Sequence, residues 1–110
     1  MSDKKIKAAF VQLDSKLGDA AANIDRLQTL LDKAVAEQAD VVVFPELWDV
    51  GFFPKNIAEL AEEEENHSAL EWMRQAAKTH RINVVGGSIA VKEGVNVFNR
   101  AYVFDLGCRE

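Results

Sequence analysis

The sequence predicts an α/β fold, and three observations carry that prediction. Apolar runs of strand length recur at residues 6–13, 41–44, 82–91 and 95–104. Two stretches with helical periodicity separate the first three of them. The second run, Val41-Val42-Val43-Phe44, is continuous in its hydrophobicity rather than alternating, as burial on both faces of a sheet requires. The order is β-α-β-α-β-β, with the first three strands joined through helices and a hairpin at the end.

Ile6 to Leu13 is short, apolar and rich in strand formers toward its end, and Leu17-Gly18-Asp19 breaks it. Asp19 is a candidate N-cap for a helix in which Ile24, Leu27, Leu31 and Ala34 form one stripe, opposite Asp25, Arg26, Asp32 and Lys33. Pro45 ends the Val41–Phe44 strand because it has no N–H to give a ladder. The acidic run of Glu59 and Glu62 to Glu65 reads as a solvated helix face or loop. Ser68-Ala69-Leu70-Glu71 then predicts a capping box, opening a helix with Leu70, Met73 and Ala77 on one side and His80 and Arg81 at its negative end. Ile82–Val91 and Val95–Phe104 flank a Glu93-Gly94 turn and predict a hairpin.

At 110 residues, 48% hydrophobic and 28% charged, the chain has the size and balance of one globular domain. A formal net charge of -5 excludes an extended phosphate-binding surface, so no nucleic-acid partner is expected. Lys7 and Gln12 interrupt the apolar start, which therefore predicts neither a signal peptide nor a membrane span and implies a cytoplasmic protein. The single cysteine, Cys108, closes no intramolecular disulfide. His67 and His80 lack the Cys or His companions of a metal site and read as surface or capping residues, so neither metal nor cofactor is expected. Gly86-Gly87-Ser88 is followed by more strand rather than by a helix start; it predicts a bulge or a close backbone approach, not a phosphate loop.

Glu46 stands one residue beyond the proline that ends a buried strand, where loops of an open α/β sheet gather around ligands. Trp48, Phe52 and Phe53 crowd in after it, and drying by such rings would favour the neutral acid and suit proton transfer in both directions. Glu46 is therefore the candidate catalytic residue, and Trp48 and Phe53 are candidates to line a substrate pocket. Each of the aromatic residues has an ordinary alternative as core.

The stretch Ala39 to Phe52, ADVVVFPELWDVGF, resembles the glutamate motif of the nitrilase superfamily, the carbon-nitrogen hydrolases. The segments KIKAAFVQLDSKLGD, VVGGSIA and FNRAYVFDLG, together with the helix carrying Asn23, resemble the N-terminal part of that family in the same order. The resemblance implies a four-layer α-β-β-α sandwich of which residues 1–110 would be an incomplete domain. It implies hydrolysis of an amide, carbamoyl or nitrile carbon by a glutamate general base, a lysine that steadies the tetrahedral intermediate and a cysteine nucleophile. Glu46 matches the first role. The lysine and the cysteine would fall beyond Glu110; Cys108 matches a hairpin turn, and Lys92 reads as a solvated strand end. The expectation is thus an N-terminal portion that is inactive alone, acts as an intact chain on a small-molecule substrate, and forms homo-oligomers as family members do. Two alternatives stand beside it: a catalytically silent assembly module of the same fold, and a DNase I-like metal-dependent phosphodiesterase, in which glutamine typically stands where this chain has Pro45.

Overall fold

The computed structural model of the chain describes residues 5–51 and 54–105. Its elements in order are β1 (Ala8–Phe10), α1 (Ala20–Ala36), β2 (Val41–Val43), α2 (Ile57–Leu60), β3 (Glu62–Glu63), a 3-10 turn (Glu64–Asn66), α3 (Ser68–His80), β4 (Asn83–Glu93) and β5 (Asn96–Phe104). The β-α-β-α-β-β order is present. The acidic run, expected as a solvated face or loop, contributes the two-residue strand β3 and the 3-10 turn.

One mixed sheet organises the chain. β1, β2 and β4 run parallel side by side, β5 pairs antiparallel with β4, and β3 runs parallel to the far end of β4. Strand β1 is shorter than the expected 6–13, although Val11 still donates to the Val43 carbonyl at 3.0 Å. Helices α1 and α3 cover one face. Leu27 and Leu31 from α1 meet Leu70 and Met73 from α3 over Val42, Val84, Ile89 and Val91, all nearly or fully excluded from water. These are the residues that the period of the helical stripes selects.

Helix α1 begins as the sequence predicts, with Asp19 Oδ1 accepting from the Ala22 N–H at 3.0 Å. Helix α3 does not. Ser68 is its first residue rather than its cap, and donates both its N–H and its hydroxyl to the Glu62 carboxylate at 2.9 Å. The cap is His67, whose Nδ1 accepts from the Leu70 N–H at 3.3 Å. Arg81 closes the helix in the left-handed region, φ 51°.

The opposite face of the sheet is covered at one end only. There Leu47 and Val50, from the chain just after β2, pack with Ala61 on Ala90 of β4. Toward the other end, Phe10, Val85 and Val103 remain 75%, 37% and 67% exposed. Their neighbours Ala9, Val84 and Phe104 face the helices, so strand alternation puts all three side chains on this open face.

Candidate functional site

The site is built where β2 ends against the middle of β4. Phe44 still donates to the Val85 carbonyl at 2.9 Å, and then Pro45 stops the ladder. β4 answers with a register irregularity between Val85 and Ser88, the bulge that the glycine pair predicts. Gly87 sits there at φ +62°; a Cβ on it would lie 2.5 Å from the Phe44 carbonyl oxygen and closer still to that of Pro45. Only glycine lets the two backbones meet this way.

Ser88 fastens the turn that carries Glu46. Its N–H donates to the Pro45 carbonyl at 3.3 Å, its Oγ accepts from the Leu47 N–H at 2.9 Å, and its carbonyl accepts from the Trp48 N–H at 3.3 Å. Leu47 takes the left-handed conformation, φ 49°, which reverses the chain immediately after Glu46. The Trp48 indole N–H then donates to the Gly86 carbonyl at 3.0 Å.

Two residues further along β4, at Ala90, two side chains stand in for a missing strand. Between β2 and β3 the edge of β4 has no neighbouring ladder, yet Ala90 is fully satisfied: its N–H is shared by both carboxylate oxygens of Asp49 at 3.2 Å, and its carbonyl accepts from His67 Nε2 at 2.8 Å. Nδ1 of His67 thus accepts from Leu70 while Nε2 serves Ala90, so both ring nitrogens are engaged. Asp49 Oδ2 lies 3.5 Å from that nitrogen. Asn23, fully buried on α1, ties in the outer side by donating to the Asp49 and Lys16 carbonyls at 2.9 Å and accepting from the Lys16 N–H at 2.6 Å. Burial pushes the Asp49 carboxyl up to about 6, against the partial offset of the Ala90 N–H and His67. The role of Asp49 and the burial of His67 were not legible beforehand; a histidine read as surface or capping is a cap with 2% exposure.

Glu46 itself is exposed, and its Oε2 accepts from Asn99 Nδ2 of β5 at 2.8 Å. Asn99 pairs with Ala90 across the sheet, and Ile89 and Val91 on either side of Ala90 face the helices. Asn99 and the Glu46 carboxylate therefore lie on the open face, bordering its exposed apolar patch. The aromatic enclosure expected around Glu46 is not formed by Trp48. That ring is wholly buried on the helix side, 6.0 Å from Phe44 and 5.7 Å from Trp72 between centroids, because the turn at Leu47 sends residues 46 and 48 to opposite sides of the sheet. Trp48 thus braces the loop from beneath and does not line an accessible pocket in this structure. Phe53, Phe52 and Cys108 lie outside the described residues. Lys92 pairs with Val97 across the hairpin and with Glu63 of β3 at the far end of β4, several residues beyond the bulge. Among the described residues no three His, Cys, Asp or Glu side chains converge as metal ligands, and no helix is long and apolar enough to cross a membrane.

The carbon-nitrogen hydrolase family model matches residues 7–108. The chain belongs to the carbon-nitrogen hydrolase family. This carbon-nitrogen hydrolase chain is 37% identical over 95 residues to 2-oxoglutaramate amidase of Bacillus subtilis, which covers 86% of this chain and 36% of the relative. It is 36% identical over 101 residues to omega-amidase NIT2 of Danio rerio, covering 91% of this chain and 35% of the relative. The crystal structure of Saccharomyces cerevisiae Nit3, a nitrilase-superfamily member, superposes with a TM-score of 0.81 at 24% identity over 94% of this chain and 41% of the other, a likeness of fold. XC1258 of Xanthomonas campestris, a CN-hydrolase superfamily protein, does so with a TM-score of 0.75 at 26% identity over 91% and 40%. The carbon-nitrogen hydrolase chain thus spans little more than a third of the length of these curated relatives. Family membership sets aside the phosphodiesterase alternative.

Proposed function

We propose that the chain is the glutamate-bearing N-terminal portion of an amidase-type carbon-nitrogen hydrolase, with Glu46 as general base and a small carboxamide as substrate. The observation that carries this reading is the position of Glu46: beyond the carboxyl end of a central parallel strand, reachable from solvent, and fixed through one oxygen while the turn beneath it is fastened to β4. The names of the amidase relatives support an amide, and among amides a terminal carboxamide of a small acid.

In this reading the Glu46 carboxylate accepts the proton of a cysteine thiol supplied beyond these residues, and the thiolate attacks the amide carbon. A lysine, also supplied beyond them, balances the oxyanion charge. The Glu46 acid returns the proton to the leaving ammonia, and the carboxylate then takes one from the water that hydrolyses the thioester. The enclosure that would dry Glu46 comes from a layer over the open face rather than from Trp48.

Ammonia release from 2-oxoglutaramate, followed in the intact chain and in its Glu46→Gln variant, tests the proposal. The amide keeps the shape but cannot carry the proton, so turnover falls by about 10²–10⁴-fold or more with an unchanged unfolding profile. Wild-type turnover in the variant removes Glu46 from the mechanism. The 110-residue polypeptide alone releases no ammonia; turnover by purified polypeptide overturns the reading that further residues are needed.

A further inference from the structure

We infer that Asn99 is a positioning residue for Glu46: its amide holds Oε2 so that Oε1 is the oxygen that exchanges the proton. The inference rests on the proposed role of Glu46 and adds a residue from the opposite end of the chain. Asn99 Nδ2 reaches Oε2 at 2.8 Å across 53 positions of sequence. Among the described residues Oε1 accepts no hydrogen bond, so the two oxygens of one carboxylate are already distinguished.

Both ends of this contact are held by independent structure. On one side, the turn carrying Glu46 is fixed to Ser88 through the Leu47 N–H and to Gly86 through the Trp48 indole. On the other, Asn99 sits opposite Ala90, the residue whose N–H and carbonyl are clamped by Asp49 and His67. Asp49 belongs to the Glu46 loop, so a single β4 residue sets the spacing between the loop and β5. An exposed strand asparagine with no such partner would be free among several rotamers; here its one charge-assisted bond goes to the candidate base.

The chemistry suits an amide. A carboxylate rotates readily about its last bond, and to take the proton of a thiol its accepting lone pair must be aimed at the S–H within hydrogen-bond reach. An uncharged N–H donor fixes the plane of the carboxylate without neutralising it, whereas a lysine or arginine in that place would compete for the proton-accepting charge. The anchored oxygen stays loaded, and the other is left to accept and return the proton.

The test uses the intact chain with 2-oxoglutaramate, comparing Asn99→Ala, Asn99→Asp and Glu46→Gln. Asn99→Ala is expected to lower kcat by about 10–100-fold with KM changed less than about threefold, since a misaimed base affects chemistry more than binding. Asn99→Asp places a second carboxylate beside the first, and the acidic limb of its kcat/KM profile moves to higher pH than in the parent. A purely structural asparagine would produce neither the kcat-against-KM split nor the moved limb. Wild-type kcat in Asn99→Ala together with an unmoved limb in Asn99→Asp overturns the inference while Glu46→Gln remains inactive; an active Glu46→Gln overturns the underlying reading instead. Equal unfolding midpoints for parent and Asn99→Ala separate positioning from loss of fold, and kcat that falls only in proportion to lost folded protein counts against the inference.

Discussion

Replacing Asp49 by asparagine makes the protein more stable at neutral pH and leaves it unchanged in acid. Asp49 is 2% exposed and bridges the gap in the β4 edge through the Ala90 N–H. Asparagine keeps an acceptor oxygen for that N–H and removes the charge. The carboxyl rises from its ordinary 3.8 to about 6 on folding, with burial as the main cause. A carboxyl held above its unfolded value contributes stability that is fully present below about pH 4 and is lost as pH rises through about 6. That rise corresponds to roughly 3 kcal/mol at neutrality, the cost of keeping an ionised carboxylate in a dry place. Urea unfolding of parent and variant at intervals between about pH 4 and pH 7 reads the difference directly. The expected difference grows from near zero to roughly 3 kcal/mol in favour of Asp49→Asn, its steepest part between about pH 4 and pH 6. A difference that stays flat with pH, or a variant less stable at neutrality, refutes the reasoning: Asp49 would then be a satisfied anion, its Ala90 bond outweighing its desolvation.

Other expectations follow from the same geometry. Gly87→Ala is destabilising by roughly 3 kcal/mol or more, because the position combines positive φ with two carbonyl oxygens inside contact distance; chemical denaturation checks it, and a change under about 1 kcal/mol would mean that the bulge relaxes freely. Trp48→Ala opens a cavity beside Phe44 and Trp72 and costs about 3–5 kcal/mol of stability, whereas a pocket-lining tryptophan would show its loss mainly in substrate binding. The 110-residue polypeptide associates through its open face, and Phe10→Ser with Val103→Ser reduces that association in sedimentation velocity at two concentrations; an unchanged profile would mean that the exposed apolar patch is not its cause.

How much of this could be read from sequence depends on how local each determinant is. The strand–helix alternation, the Asp19 cap, the Pro45 stop and the bulge at the glycine pair are set by residues within a few positions of one another, and each occurs where the pattern puts it. The capping box failed for a reason propensity does not contain: Glu62 arrives from β3 to take both donors of Ser68, leaving His67 to cap the helix. Neither the Asp49–His67 stand-in for a strand nor the Asn99–Glu46 bond could be read at all, since each joins residues brought together only by sheet register. The weak signal for the second was a polar residue in a strand, Asn99 between Phe98 and Arg100.

The surroundings of Glu46 show where a window of sequence misleads. Leu47, Trp48 and Val50 all follow the carboxylate closely in the chain, and Trp48 is expected from sequence to help dry it. The positive φ at Leu47 divides them: Trp48 goes down into the helix-side core, and Leu47 and Val50 settle on the opposite face over Ala90. Their burial fastens the loop and so fixes where the carboxylate begins, but none of it removes water from the carboxylate itself. A general base in that place needs its drying from the third dimension, across the face that presents Phe10, Val85 and Val103 beside Asn99. On the proposed reading, then, the same covering layer that would bury this apolar patch also closes the site, which couples completion of the fold to activation of the base. Serine at Phe10 and Val103 in the intact chain would consequently lower turnover even though neither side chain touches Glu46.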